Sequence, residues 1–246
     1  MNLESGRMPY QTLNLEETAA YLHLREADVE QLIRKREIPF EKRGERFVFR
    51  KGEIESWASQ RILGFQDKHL AAYHKQVVDR ERRFSKRELL MPDLLKEKYI
   101  DPAVTSKTKS SILRDMVRLA EKTGNLLDAS GLLDGLQDRE KLCSTGMPRG
   151  LALLHPRYQR PYLFQEDMVL MGRTIQGIPF GAPDGSSTGL FFLLCCRTDS
   201  LHLHVLARIC MMARETDLLD RLRETEDAAV MLQSVLTAEA ELLKEM

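Results

Sequence analysis

The run from Arg139 to Arg157 (REKLCSTGMPRGLALLHPR) concentrates the side chains of this sequence that could do chemistry: an arginine, a Cys-Ser-Thr cluster and, near its end, His155. A polar turn follows at Phe180 to Gly185 (FGAPDG), and then His202, with His204 two residues later. A neutral imidazole, with an ordinary pKa of about 6.5, keeps a free ring nitrogen for nucleophilic attack at pH 7. A guanidinium offers paired, charge-assisted donors that suit a phosphoryl group. Taken alone, a histidine at a strand end is usually structural, so residue types leave the chemistry open. Cys143, Cys195, Cys196 and Cys210 show no C-x-x-C spacing and no clustering with His at ligand spacing. They read as reduced core thiols, with no metal and no cofactor expected.

The elements that must carry these residues fall into two textures. Asn14 is the expected cap of a short helix over Glu16–Leu22, and a turn at His23–Leu24 leads to a second helix over Glu26–Lys35. Its apolar Val29, Leu32 and Ile33 sit at i, i+3, i+4. Pro39 ends the unit, and Phe40–Phe49 reads as a hairpin around Gly44. A last helix, Gly52–Ser59, carries Trp57, the only tryptophan. From Met91 onward, helix-like and strand-like stretches alternate, which implies an α/β layered domain. Thr105 or Ser106 is the expected cap of a helix through Ile112 and Met116 to Gly124, and a short helix is expected at Gly131–Asp138. Strands are expected at Met168–Ile175 and at Thr188–Cys196 (TGLFFLLCC), then a helix from near His202 and two terminal helices.

The N-terminal pattern, two short helices and a basic hairpin, is that of a winged helix-turn-helix. It resembles the excisionase and MerR-type DNA-binding family, which reads L-T-x-x-E-A-A-x-x-L, a short helix, G-x-(I/L)-P, a basic wing and a closing helix with Trp. Glu17, Ala19, Leu22, Ile33, Ile38, Pro39 and Trp57 fall in place. The resemblance implies that helix 26–35 enters the major groove, with Arg25 and Gln31 toward the bases. Arg34 and Lys35, and Lys42, Arg43 and Arg46 on the wing, would then contact phosphates. Glu26, Asp28 and Glu30 depart from the usual Ser/Thr/Arg set.

Residues 91–246 resemble the enzyme IIA domain of the fructose–mannitol and nitrogen-regulatory class of the bacterial phosphotransferase system. The resemblance rests on Arg139, Glu140, Ser144, Thr145, Gly146, Gly150, Ala152 and His155, then Phe180, Pro183, Asp184 and Gly185, then His202 and Leu203. It implies that His155 is the phosphorylated histidine, Arg139 the site arginine and His202 the second site histidine. The partners implied are the histidine-containing phosphocarrier protein as donor and a IIB domain as acceptor. The activity would be that of a phosphohistidine carrier, without conventional turnover. The family's proline before the histidine is Leu154 here, with Pro156 after it, and Met147-Pro148-Arg149 replaces small polar residues.

The expected fold class is therefore α/β: a winged helix-turn-helix over 1–62, a basic connector over 63–90 and a IIA-like domain with a mixed sheet flanked by helices over 91–246. The whole chain of 246 residues balances 37 basic against 37 acidic side chains, which argues against a wholesale nucleic-acid coat. Residues 63–90 carry 7 basic and 4 acidic side chains, chiefly through Arg80, Arg82, Arg83, Lys86 and Arg87. The longest apolar run, Gly189–Cys196, is too short to span a membrane, and no apolar leader is visible. A cytoplasmic, membrane-free protein is expected. The combination reads as a phosphotransferase-linked transcription regulator binding double-stranded DNA, with a homodimer compatible with paired half-sites. The alternative is a phosphocarrier whose N-terminal module makes protein contacts.

Overall fold

The structure is a computed structural model that describes residues 12–22, 24–54, 57–58, 89–158 and 160–245. Most of the basic connector, including its five named cations, and the turn residue His23 lie outside the described residues. Among the described residues no helix is long and apolar enough to cross a membrane.

The N-terminal unit follows its sequence closely. Helix α1 (Leu15–Tyr21) starts at Asn14, whose side chain accepts from the Glu17 backbone while Glu17 reaches back to the Asn14 N–H, a reciprocal capping box. Helix α2 (Glu26–Arg34) packs Val29, Leu32 and Ile33 inward. Strand β1 (Thr12–Leu13) and the wing strands β2 (Glu41–Arg43) and β3 (Arg46–Arg50) form a small antiparallel sheet in the order β1-β3-β2. Gly44 turns the wing with φ of 63°. The closing helix, described at 51–54 and 57–58, buries Ile54 and lets the Trp57 ring N–H donate to the Glu37 carbonyl.

The second unit is built on a five-stranded mixed sheet, ordered β4-β7-β8-β6-β5. The strands are β4 (Ile100–Val104), β5 (Gly146–Met147), β6 (Leu151–Leu154), β7 (Met168–Ile178) and β8 (Thr188–Cys195). The central β7–β8 pair is antiparallel, with Leu170 opposite Leu193 and Met171 opposite Phe192. Strand β6 runs parallel to β8, placing Leu153 by Phe192 and Leu154 by Leu193. β8 is apolar at consecutive positions because both of its faces are covered. The short α3 (Met91–Leu94) leads into the sheet; α4 (Lys109–Lys122) and α5 (Ala129–Leu142) form one helical group. The other group is α6 (Asp199–Glu215), α7 (Leu218–Arg223) and α8 (Ala228–Glu245).

The structure departs from the expected helix boundaries at three places. The cap of α4 is Thr108, not Thr105 or Ser106, and its side chain accepts from the Ser111 N–H. Ser106 instead donates to the Asp115 carboxylate. The short helix expected at Gly131–Asp138 runs from Ala129 to Leu142, capped by Asp128, so Arg139 is helical. Two internal glycines, Gly131 and Gly135, had masked it. Helix α6 begins at Asp199, ahead of His202, because Thr198 caps it.

One turn stores strain. Helix α2 ends with the Glu37 N–H donating to the Leu32 carbonyl and the Arg36 N–H to the Ile33 carbonyl, the two bonds of a Schellman cap. That cap needs a left-handed residue, and Arg36 supplies it with φ of 55°, where the resembled pattern has glycine. A left-handed non-glycine residue costs about 1–2 kcal/mol, and glycine's extra freedom when unfolded offsets about half of that. Arg36→Gly should therefore stabilise the N-terminal unit by about 0.5–1 kcal/mol in urea denaturation, and a destabilised variant would contradict this account.

Candidate functional site

Parallel pairing of β6 with β8 brings their carboxyl ends to one edge of the sheet. His155 is the residue immediately after β6, and His202 lies in the first turn of the helix that follows β8, its N–H bonded to the Thr198 carbonyl. Arg139 reaches the same place from the last turn of α5. Residues far apart in sequence thus meet: the rings of His155 and His202 lie with centroids 4.8 Å apart and planes at 47°. All three are buried, with 2% exposure for Arg139 and His155 and 1% for His202.

The hydrogen bonds settle the tautomer of His155. Its Nδ1 lies 2.9 Å from the Leu153 carbonyl oxygen, which can only accept, so Nδ1 carries the proton. Nε2 then holds a lone pair, and it accepts from Arg139 Nε at 3.0 Å. Arg139 Nη1 donates to the Cys143 carbonyl at 2.9 Å and to its Sγ at 3.2 Å. Arg139 Nη2 and both ring nitrogens of His202 are buried without a hydrogen-bond partner. Buried polar atoms are ordinarily satisfied, so this corner has donor and acceptor capacity in excess of its own needs. Among the described residues no group of three or more His, Cys, Asp or Glu side chains is placed to hold a metal ion.

A surrounding frame fixes this geometry. Glu140 accepts from the Thr145 N–H at 3.0 Å and also from its hydroxyl, and it pairs with Lys109 at 2.6 Å. Lys109 and the Ser144 hydroxyl both donate to the Phe180 carbonyl, at 3.1 and 2.8 Å. The Ser-Thr-Gly run and the Phe180 turn therefore brace the end of α5 through these bonds. On the other side of α5, a Cβ on Gly135 would lie 2.9 Å from Pro156, and the Arg157 N–H donates to the Gly135 carbonyl at 3.0 Å. Lys109, Gly135, Cys143 and the Leu153 carbonyl were invisible as site residues in sequence. Three of them contribute backbone carbonyls, which carry no side-chain signal, and Lys109 acts on a frame only the fold brings together.

The family described as phosphoenolpyruvate-dependent sugar phosphotransferase system, EIIA 2, matches residues 93–237, more than half of the chain. The chain belongs to this family. A helix-turn-helix domain family matches residues 12–62. A nitrogen regulatory protein of Bradyrhizobium diazoefficiens is 30% identical over 139 residues, covering 55% of this chain and 88% of that one. The fructose-specific EIIABC component of Bacillus subtilis is 25% identical over 142 residues, covering 56% of this chain, and this chain spans only 22% of that longer protein. The crystal structure of nitrogen regulatory protein IIA-Ntr from Neisseria meningitidis superposes with a TM-score of 0.54 at 23% identity, covering 60% of this chain and 99% of that one. Escherichia coli IIA mannitol gives 0.51 at 19%, with 57% and 98% covered. The latter two likenesses speak to fold.

The helix-turn-helix exposes Arg25, Gln31, Arg34, Lys35, Lys42, Arg43 and Arg46. Three of these are already paired with carboxylates: Arg25 with Asp28 at 2.8 Å, Arg34 with Glu30 at 3.4 Å and Arg43 with Glu41 at 3.1 Å. The Arg25 pair is bidentate, and the hydrogen bond from Arg25 holds the Asp28 carboxyl below its ordinary value. Lys35, Lys42 and Arg46 pair with no carboxylate among the described residues. The uncommitted cations thus sit at the end of α2 and on the wing.

In the IIA domain, burial drives His155 well below its ordinary value of 6.5, helped by His202 and Arg139 and opposed by the Leu153 carbonyl. Burial, then Arg139, pushes His202 down to about 3. Both rings are therefore neutral at pH 7 in the fold. Below about pH 6.5 the unfolded chain takes up protons at these positions and the folded chain does not, so stability is full above that pH and falls as pH drops toward 3. Each pH unit costs about 1.4 kcal/mol per histidine. His202 alone should remove about 2 kcal/mol between pH 6.5 and pH 5. Urea unfolding of wild type and His202→Gln at both pH values checks this: the loss should be smaller in the variant, and equal losses would reject the assignment.

Proposed function

We propose that this chain is a phosphotransferase-linked regulator whose IIA domain accepts a phosphoryl group on His155 and whose helix-turn-helix binds DNA. The observation that carries the first half is the Arg139–His155 contact with the tautomer locked by Leu153. Nε2 of His155 attacks the phosphorus of the phosphohistidine on the histidine-containing phosphocarrier. An Nε2–P bond forms, the donor N–P bond breaks, and the donor imidazole leaves with the electron pair. Positive charge arising on the His155 ring is stabilised through Nδ1–H and the Leu153 carbonyl.

Arg139 contributes by exchange. Its Nε donates to Nε2 before transfer, and with Nη2 it can swing onto two phosphoryl oxygens afterwards, a fork suited to that geometry. His202 stands beside the ring with no prior hydrogen bond and can donate to a third oxygen. Such positioning and charge stabilisation is the bulk of what phosphoryl transfer requires. Onward transfer to a IIB domain is part of this reading; a solved complex of E. coli IIA and phosphorylated IIB for mannitol shares the fold.

For the second half, Lys35, Lys42 and Arg46 supply phosphate contacts, and the paired Arg25, Arg34 and Arg43 exchange carboxylate for phosphate. Exposed ion pairs of this kind are weak, so the exchange is cheap. The acidic start of α2 favours a second reading, in which the module contacts a protein and the IIA domain is a plain phosphocarrier. A cytoplasmic location suits either reading.

Phosphorylation tests the first half. With phosphoenolpyruvate, enzyme I and the phosphocarrier, wild type should take up one acid-labile phosphate, His155→Ala none, and Arg139→Gln should label at least 100-fold more slowly. Label persisting in His155→Ala would sink the assignment. DNA affinity tests the second half. Log affinity should fall linearly with log salt concentration, and Lys42→Ala and Arg46→Ala should each flatten that slope by about one. A salt-independent or undetectable affinity favours the protein-contact reading.

A further inference from the structure

His155 is the nucleophile of the proposed transfer, yet it is 2% exposed and its neighbour His202 is 1% exposed. Direct transfer between two proteins requires the donor phosphorus to come within about 3–3.5 Å of Nε2. Some wall of the site must therefore give way. The strand ends and α5 are held by the sheet ladder and by the Gly135–Pro156 contact, and they cannot retreat without dismantling the core.

One wall is of a different kind. Lys51, the first residue of the closing helix of the N-terminal module, reaches Asp199 with a 2.6 Å ion pair. Asp199 is the first residue of α6, three positions before His202. The adjacent Gly52 lies against the ring of Tyr158, so close that a Cβ there would be 2.9 Å from the ring. Tyr158 is three positions after His155 and is stacked by Arg157, 5.0 Å from its centroid. The module thus touches both segments that flank the histidine pair. Among the described residues its ionic hold is this one partly exposed pair, a weak and salt-sensitive tie.

We propose that the N-terminal module docks through Lys51 and Gly52 on the phosphoacceptor face of the IIA domain, and that a phosphodonor protein reaches His155 only when the module has left. The occupant of that face is this chain's own helix-turn-helix, and its competitor is the donor. Competition for one face is reciprocal. Whatever holds the module away favours phosphorylation, and a bound donor releases the module. α2 and the wing tip with Lys42, Arg43 and Arg46 remain exposed in the docked state, so docking leaves the DNA-facing residues available. The consequence for phosphorylation rests on the proposed role of His155; the docking itself does not.

The test therefore begins with a probe that needs no phosphotransfer. The full chain is treated with diethyl pyrocarbonate, and the rate of His155 modification is followed by peptide mass spectrometry. The proteins compared are wild type, Lys51→Glu, Asp199→Lys and the double charge swap, with Tyr158→Ser as an independent variant at the other contact. The single variants and Tyr158→Ser should react at least threefold faster than wild type, and the charge swap should return to the wild-type rate. Raising salt should accelerate wild type and leave Lys51→Glu unchanged. Equal rates in all proteins, whether fast or slow, overturn the proposal. Initial rates of phosphorylation by the phosphocarrier should follow the same order. If modification follows the order but no protein takes up phosphate, docking stands and the phosphoacceptor reading falls.

Discussion

The site depends on one hydrogen bond, that from Arg139 Nε to His155 Nε2 at 3.0 Å. A guanidinium is always charged and can only donate, so this contact requires an unprotonated Nε2. A neutral ring must then keep its proton on Nδ1, and the Leu153 carbonyl is there to take it. Burial works in the same direction, because a second positive charge in this dry corner would be expensive. Three separate features thus agree on one protonation state. The cost is an arginine, 2% exposed, whose remaining donors need partners; Cys143 satisfies Nη1 and nothing satisfies Nη2.

How much of this was legible in the sequence varies with the range of the interaction that decides each feature. Local features were read well: the Asn14 cap, α2, the wing around Gly44 and the apolar β8 follow from side-chain pattern and short-range hydrogen bonding. The site trio was legible through spaced motifs rather than through physics, since nothing in residues 139, 155 and 202 separately predicts that they meet. Their meeting is a consequence of β6 and β8 being parallel neighbours, a non-local pairing. The length of α5 and the start of α6 are hard to see in sequence because Gly131 and Gly135 blur one helix and the Thr198 cap of the other stands three residues before the apolar run begins at Leu201. Braces such as Lys109–Glu140 span 31 positions of sequence and leave no periodic trace.

A second buried network ties the site helix to the point where the chain first enters the IIA domain. Glu239 on α8 is fully buried and accepts from the Leu90 and Met91 backbone N–H groups, both at 2.9 Å. The same carboxylate takes Arg208 Nη1 at 2.8 Å, and Arg208 Nη2 lies 3.2 Å from His204 Nε2. Arg208 and His204 belong to α6, the helix that carries His202. His204, two residues on, therefore serves a different face and a different purpose from His202. A buried ion pair is poor evidence of net stability, but removing one partner alone is costly. The network is best understood as fixing where α3 begins relative to α6, so that Leu90 and Met91 are registered against the helix that carries His202.

The departures from the family pattern fit the same logic of relocated constraints. Arg149, in the unusual Met147-Pro148-Arg149 stretch, adopts φ of 64° and donates its backbone N–H to Asp184 and its side chain to the Ala213 carbonyl and Asp220. It latches the Phe180–Gly185 turn to the α6–α7 junction, a task small polar residues could not perform. Leu154, where the family has proline, is 1% exposed and pairs with Leu193, carrying the β6–β8 ladder to the residue before His155. Pro156 biases His155 itself toward extended backbone and seats against Gly135, where no Cβ intrudes. The proline ring beside His155 has moved from one side of it to the other rather than vanished. The Leu153 carbonyl, two residues before His155, keeps its hold on Nδ1 because the ladder now fixes that strand to its end. On this argument Leu154 and Pro156 act as a pair, and the geometry that makes Nε2 available survives the exchange.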